Sequence, residues 1–121
     1  MKIIKGDTGG ISFRWNLNVG YEFYITPEGS YTLFSHDPDP YSNTSTILLN
    51  GSSSAISTGL NQSNLIAVLA QGNTITVYVN NQYIGRVVDN TYSKGGIGAS
   101  ASAFINPTEV LYSNAKVWTF P

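Results

Sequence analysis

Residues 64–89, NLIAVLAQGNTITVYVNNQYIGRVVD, constrain the fold more tightly than any other part of the chain. Three short runs rich in aliphatic and β-branched residues are separated by the pairs Gly72-Asn73 and Asn80-Asn81, which predicts an antiparallel three-strand meander. Residues 74–79 alternate Thr/Ile/Thr/Val/Tyr/Val, so Ile75, Val77 and Val79 face one way while Thr74, Thr76 and Tyr78 face the other. Asn tolerates the positive φ that a two-residue type I′ hairpin needs at both central positions, and this suits Asn80-Asn81 to such a turn. A meander with one apolar face does not stand alone in water. A second sheet has to cover it.

The rest of the chain supplies the strands for that second sheet. Residues 2–5 read as a short strand closed by a turn over residues 6–10. Residues 11–17 alternate, with Ile11, Phe13 and Trp15 on one face and Ser12, Arg14 and Asn16 on the other. Residues 21–26 put Tyr21, Phe23 and Ile25 inward, and Pro27-Glu28-Gly29-Ser30 turns the chain into a partner strand over residues 31–36. The segment 37–45, with Pro38 and Pro40, reads as a loop because proline cannot donate to a ladder. A short strand over residues 46–49 and a small-residue connection over 51–63 lead into the meander. After it come a strand over 95–104 and a long final strand over 109–120. About ten short strands, no segment with helical period and a length of 121 residues predict one domain, all-β, a two-sheet antiparallel jelly-roll sandwich.

Several of these segments, taken in order, resemble a known family. GDTGGISFRWN, YEFYITPEGSYTLF, STGLNQSNLIAVLAQGNTITVYVNNQYIGRVVD, GGIGASA and NPTEVLYSNAKVW are similar to the concanavalin A-like lectin/glucanase superfamily. More narrowly, they resemble the laminin-G-like or keto-disaccharide-hydrolase-like jelly-roll modules of bacterial surface and multidomain proteins. The resemblance implies a β-sandwich, and it also implies a further strand running into residues 1–5, which this sequence lacks. Residues 1–5 and 114–120 are therefore expected as open sheet edges. The glucanases of that superfamily carry a Glu-x-Asp-x-x-Glu strand motif, which Glu22, Glu28 and Glu109 do not reproduce. Trp118 matches a core position of the family and reads as structural.

Composition removes several function classes. Charged residues are 11% of the chain and the formal net charge is −1, so there is no basic field to hold nucleic acid or an anionic membrane surface. With no cysteine there are no disulfides or thiolate metal sites, and no apolar run is long enough to span a bilayer. Low charge combined with many Asn, Ser, Thr and Tyr fits extracellular sugar-binding and assembly domains; an export signal would have to lie outside this sequence.

Sugar recognition needs an aromatic ring to stack on the apolar face of a pyranose, with planar amide, carboxylate or guanidinium groups satisfying its hydroxyls. The residues expected to do this are Arg14, Asn16, Glu22 and Tyr24 on the outward side of two neighbouring strands, with His36 and Tyr41 at their loop end. Trp15 is open to two readings, a ring offered to the sugar or, by its alternation with Phe13, a core residue, with core packing as the default; Arg14 has a cross-strand ion pair with Glu22 as its alternative role. Asp37 and Asp39 offer oxygen ligands for calcium, although Pro38 and Pro40 explain the same loop as a rigid turn; no other cofactor is expected. A glycosidase would need two carboxyl groups roughly 5–9 Å apart across a sugar, and a hydrolytic triad would rest on the single His36. The sequence therefore reads as a non-catalytic carbohydrate-binding module. The alternative is a self-assembling subunit of a fibre or surface layer that forms homo-oligomers through its open edges.

Overall fold

The structure, a computed structural model, describes residues 1–36, 45–102, 105–113 and 116–117. Those residues form ten strands and no helix: β1 Lys2–Lys5, β2 Thr8–Asn16, β3 Val19–Ile25, β4 Ser30–His36, β5 Ser45–Ser52, β6 Ile66–Gln71, β7 Thr74–Val79, β8 Gln82–Val88, β9 Gly96–Ser102 and β10 Glu109–Leu111. The first layer is a five-stranded antiparallel sheet in the order β5-β4-β3-β2-β9. Opposite it lie the β6-β7-β8 meander and the β1-β10 pair.

The meander follows its sequence closely. β7 pairs with β6 from Ile66↔Val79 to Gln71↔Thr74, without a shift in register. Asn80 and Asn81 adopt φ of 53° and 65°, as the hairpin requires. Asn80 also does more than turn the chain. Its side-chain amide donates to the Ala55 carbonyl (2.8 Å) and to Asn64 Oδ1 (2.9 Å), while its oxygen accepts the Leu65 N–H (2.8 Å). Asn64 in turn holds Ser57 through both its amide atoms, so two asparagines fasten the crossing segment to the end of the meander.

Ile75, Val77 and Val79 are fully buried, as alternation demands. The outward face is less wet than expected, because Thr76 is only 2% exposed. Thr76 lies between Leu69 and Arg86 in the register, and the Arg86 Nε–H points at its hydroxyl (3.4 Å). The stem of a long cation covers apolar surface while its head stays in water, which is how a threonine on an outer face becomes buried.

Between the layers, Phe13, Tyr21, Phe23, Ile25 and Leu33 of the first sheet form one core with Ile75, Val77 and Val79, completed by Ile3 and Ile56. Each fully buried aliphatic side chain contributes about 1.5–3 kcal/mol relative to exposure, so this interface is the main stabilising element.

Two expectations are corrected by the second layer. Residues 1–5 are not an open edge. β1 pairs with β10 on one side, and on the other Lys2 bridges Ser63, Met1 and Asn64 exchange backbone bonds (3.0 and 2.8 Å), and the Asn61 N–H reaches the Ile3 carbonyl (2.9 Å). The segment 61–64 covers the side of β1 away from β10 and leads on into β6. The expected final strand is shorter among the described residues, where pairing ends at Leu111. There Tyr112 leaves the ladder and its hydroxyl accepts the Gly10 N–H (2.8 Å).

Candidate functional site

The site is set up by one irregularity in β2. Phe13 pairs with Tyr21 and Asn16 with Val19, so Arg14 and Trp15 together oppose Gly20, which is a β-bulge. Arg14 takes a positive φ of 50°. The bulge is possible because both neighbours lack side chains. A Cβ on Gly20 (φ 151°) would stand 2.8 Å from the Arg14 carbonyl oxygen, and one on Gly95 (φ 152°) would stand 2.3 Å from the Arg14 carbonyl carbon.

The bulge inverts the expected faces. Arg14 is not beside Glu22; it donates from Nη1 to the Tyr92 carbonyl (3.1 Å) and ties down the segment between β8 and β9. Trp15 is not in the core with Phe13. Its ring meets His36 edge-on (5.0 Å between centroids, 78°) on the outward face of the five-stranded sheet. Past a residue of positive φ, alternation counted from Phe13 gives the wrong side.

From Trp15 a row of rings crosses that outward face. His36 contacts Phe34 (4.7 Å) and Phe34 contacts Tyr24 (5.5 Å), both close to perpendicular. The register explains the row: Glu22 pairs with Phe34, Tyr24 with Thr32 and Gly20 with His36, and all of these point away from buried Tyr21, Phe23 and Leu33.

Glu22 lies under this row with its side chain 11% exposed. Its Oε2 is 3.6 Å from His36 Nε2, an ion-pair separation too long for a hydrogen bond. Burial pushes the Glu22 carboxyl above its ordinary value, against the opposing influence of His36 and the Ser100 hydroxyl. His36 Nδ1 is 3.2 Å from Ser45 Oγ, and its Nε2 is buried without a hydrogen-bond partner among the described residues. Tyr112, whose hydroxyl bonds Gly10 and Ser100, is held above the usual tyrosine range, first by burial; the Glu22 charge adds to the shift.

Beyond Tyr24 the face opens into a shallow cavity of about 280 Å³ lined by hydroxyl groups of Thr26, Ser30 and Thr32 and by the acidic residues Asp7 and Glu28. A larger hollow of about 450 Å³ lies between Lys5, Pro27, Leu60 and Pro107 and shares Glu28 with it. The smaller one is the better candidate because it continues the aromatic row.

Of the residues singled out in the sequence, the structure brings Glu22, Tyr24 and His36 together. Arg14 points elsewhere, and Asn16 sits exposed at the end of β2, paired with Val19. Tyr41, Asp37, Asp39 and Trp118 lie outside the described residues. Among the described residues no three His, Asp or Glu side chains are grouped to hold a metal. Phe34, Thr32 and Ser100 belong to the face but were not picked out by sequence reasoning, and Trp15, open to either reading in the sequence, joins them there. Phe34 carried a usable signal, since it alternates with Leu33 and faces Glu22.

No protein-family model and no curated protein matches this sequence. Among solved structures, the fold is similar to the carbohydrate-binding module CBM66 from Bacillus subtilis, with a TM-score of 0.69 at 15% identity over 81% of this chain. The chain spans 60% of the length of that module. At this identity the likeness establishes the fold, an all-β sandwich of antiparallel sheets.

Proposed function

We propose that this chain is a non-catalytic carbohydrate-binding module. The observation that carries the reading is the aromatic row Trp15, His36, Phe34 and Tyr24 on the outward face of a sandwich sheet, next to a cavity lined by hydroxyls and carboxylates. Rings supply apolar area for the C–H faces of a sugar, and neighbouring carboxylate and hydroxyl groups accept and donate in pairs to its hydroxyls. The fold it shares with CBM66 supports the same reading. Work outside the cell or at its surface, in a protein of the concanavalin A-like superfamily, is part of the proposal and follows from what such a ligand would be. Arg14 drops out of the ligand set because its guanidinium is engaged by Tyr92.

The test is affinity electrophoresis of the purified chain against uncharged glucan, mannan, xylan, galactan and fructan, with Tyr24→Ala alongside. Retardation on at least one polymer is expected, with Tyr24→Ala weakening it about tenfold, the size of a lost stacking contact. No retardation on any polymer, or full retention by Tyr24→Ala, would sink the reading.

A further inference from the structure

We infer that the aromatic face discriminates by charge, taking uncharged glycans and rejecting those bearing carboxylates, with Glu22 as the residue that sets this preference. The inference rests on the carbohydrate-binding reading and names the chemical class that the face accepts.

Three observations lead to it. First, the ionisable groups described on the face are mainly acidic. Glu22 underlies the row, Asp7 and Glu28 line the adjoining cavity, and the lining of that cavity includes no Lys, Arg or His. Second, the described arginines are engaged elsewhere: Arg14 binds the Tyr92 carbonyl and Arg86 lies over Thr76 on the other sheet, while Lys5 lines the neighbouring hollow, which shares only Glu28 with this cavity. Uronate recognition ordinarily uses a guanidinium fork, and Arg14, the arginine of β2, is turned away by the bulge. Third, Glu22 is 11% exposed, so its charge acts through a medium of lower dielectric than water and its field at the face is less screened than that of a surface carboxylate. Among the described residues, His36 is the one basic group in contact with it, at 3.6 Å.

Glu22 therefore acts as a specificity residue even where its oxygens do not touch the sugar. A carboxylate brought onto the row meets a like charge, for which a loss of affinity on the order of tenfold or more is expected.

The experiment compares the best uncharged hexose polymer from the panel with the same polymer oxidised at its primary hydroxyls to carboxylates. Dissociation constants are measured at pH 8, well above the ordinary glutamate value of 4.5. The readout is the ratio of the two constants, so a general loss of affinity in a variant cancels. Wild type should favour the uncharged polymer about tenfold or more, and Glu22→Gln should shrink that ratio several-fold. Glu28→Gln, an exposed change that leaves the core untouched, should shrink it less, while Glu109→Gln on β10 should leave it unchanged. Equal binding of both polymers by wild type overturns the inference while leaving the carbohydrate reading intact. The same holds for an unaltered ratio in both Glu22→Gln and Glu28→Gln, or for an equal shift in Glu109→Gln, which would reduce the effect to net charge. Binding to neither polymer overturns the carbohydrate reading, and the inference falls with it.

Discussion

β7 and β2 are both interior strands of their sheets, and both carry an alternating sequence, yet the structure follows the alternation in one and breaks it in the other. In β7 each odd residue from Ile75 to Val79 is fully buried and pairing with β6 is unbroken. In β2 the same reading holds from Ile11 to Phe13 and fails at Arg14, where a positive φ and a bulge send Trp15 to the outside. Period two reports a face only while the ladder is regular. The regular strand supports the core, and the irregular one brings a large ring to the outer face, where a ligand can use it.

The largest expected effect tests the regular half of this contrast. Ile75→Ala removes a fully buried side chain at the centre of the interface and should cost about 4 kcal/mol, read as a shift in the denaturation midpoint. A cost below about 1 kcal/mol would mean that the two layers do not pack through this face as described.

The irregular half is tested by Gly20→Ala. The added methyl group meets the Arg14 carbonyl and Trp15 at 2.8 Å, at a φ of 151° that side chains rarely adopt. Strain and overpacking together should cost about 3 kcal/mol. The two variants should separate in function: at temperatures where both remain folded, Ile75→Ala keeps its retardation on the glycan panel and Gly20→Ala loses much of its own. If Gly20→Ala were as stable as wild type and bound normally, the bulge would not be what presents Trp15.

What could be read from the sequence divides along the same line. The all-β sandwich, the three-strand meander, the Asn80-Asn81 turn and the inward set Phe13, Tyr21, Phe23 and Ile25 follow from side-chain period and turn chemistry, which are local properties. The faces of Arg14 and Trp15 do not follow, because the bulge depends on Gly20 and Gly95, which come from two other parts of the chain and meet only in the folded sheet. Read alone, each glycine is a turn residue; read together across β2, they mark a place where the backbone needs room. The pairing of residues 1–5 was missed for a similar reason. The partner segment 61–64 has the composition of a loop, and its backbone bonds to Met1 and Ile3 have no side-chain signature. Glu22 and Tyr24 were legible as outward residues, but the Glu22–His36 contact depends on the pairing of β3 with β4, where His36 lies two residues beyond the partner of Glu22.

The smallest effect concerns what each outer face buries. The meander covers Thr76, a neutral group satisfied by Arg86, whereas the five-stranded sheet covers Glu22, an ionisable group that burial pushes above the ordinary glutamate value of 4.5. In the folded protein Glu22 keeps its proton at a pH where the unfolded chain has released it. Its stabilising contribution is therefore fully present in acid, below 4.5, and is lost as pH rises through the elevated folded value. Glu22→Gln carries no proton to lose, so the melting temperature of the variant minus that of wild type should grow as pH is raised through this window and level off above it. Thr76→Val, tested in the same way on the other sheet, should give a difference that does not vary with pH. A Glu22→Gln difference that shrinks with rising pH would mean that the ion pair with His36 outweighs burial, and that the outer face of the five-stranded sheet holds its carboxylate as a favoured charge.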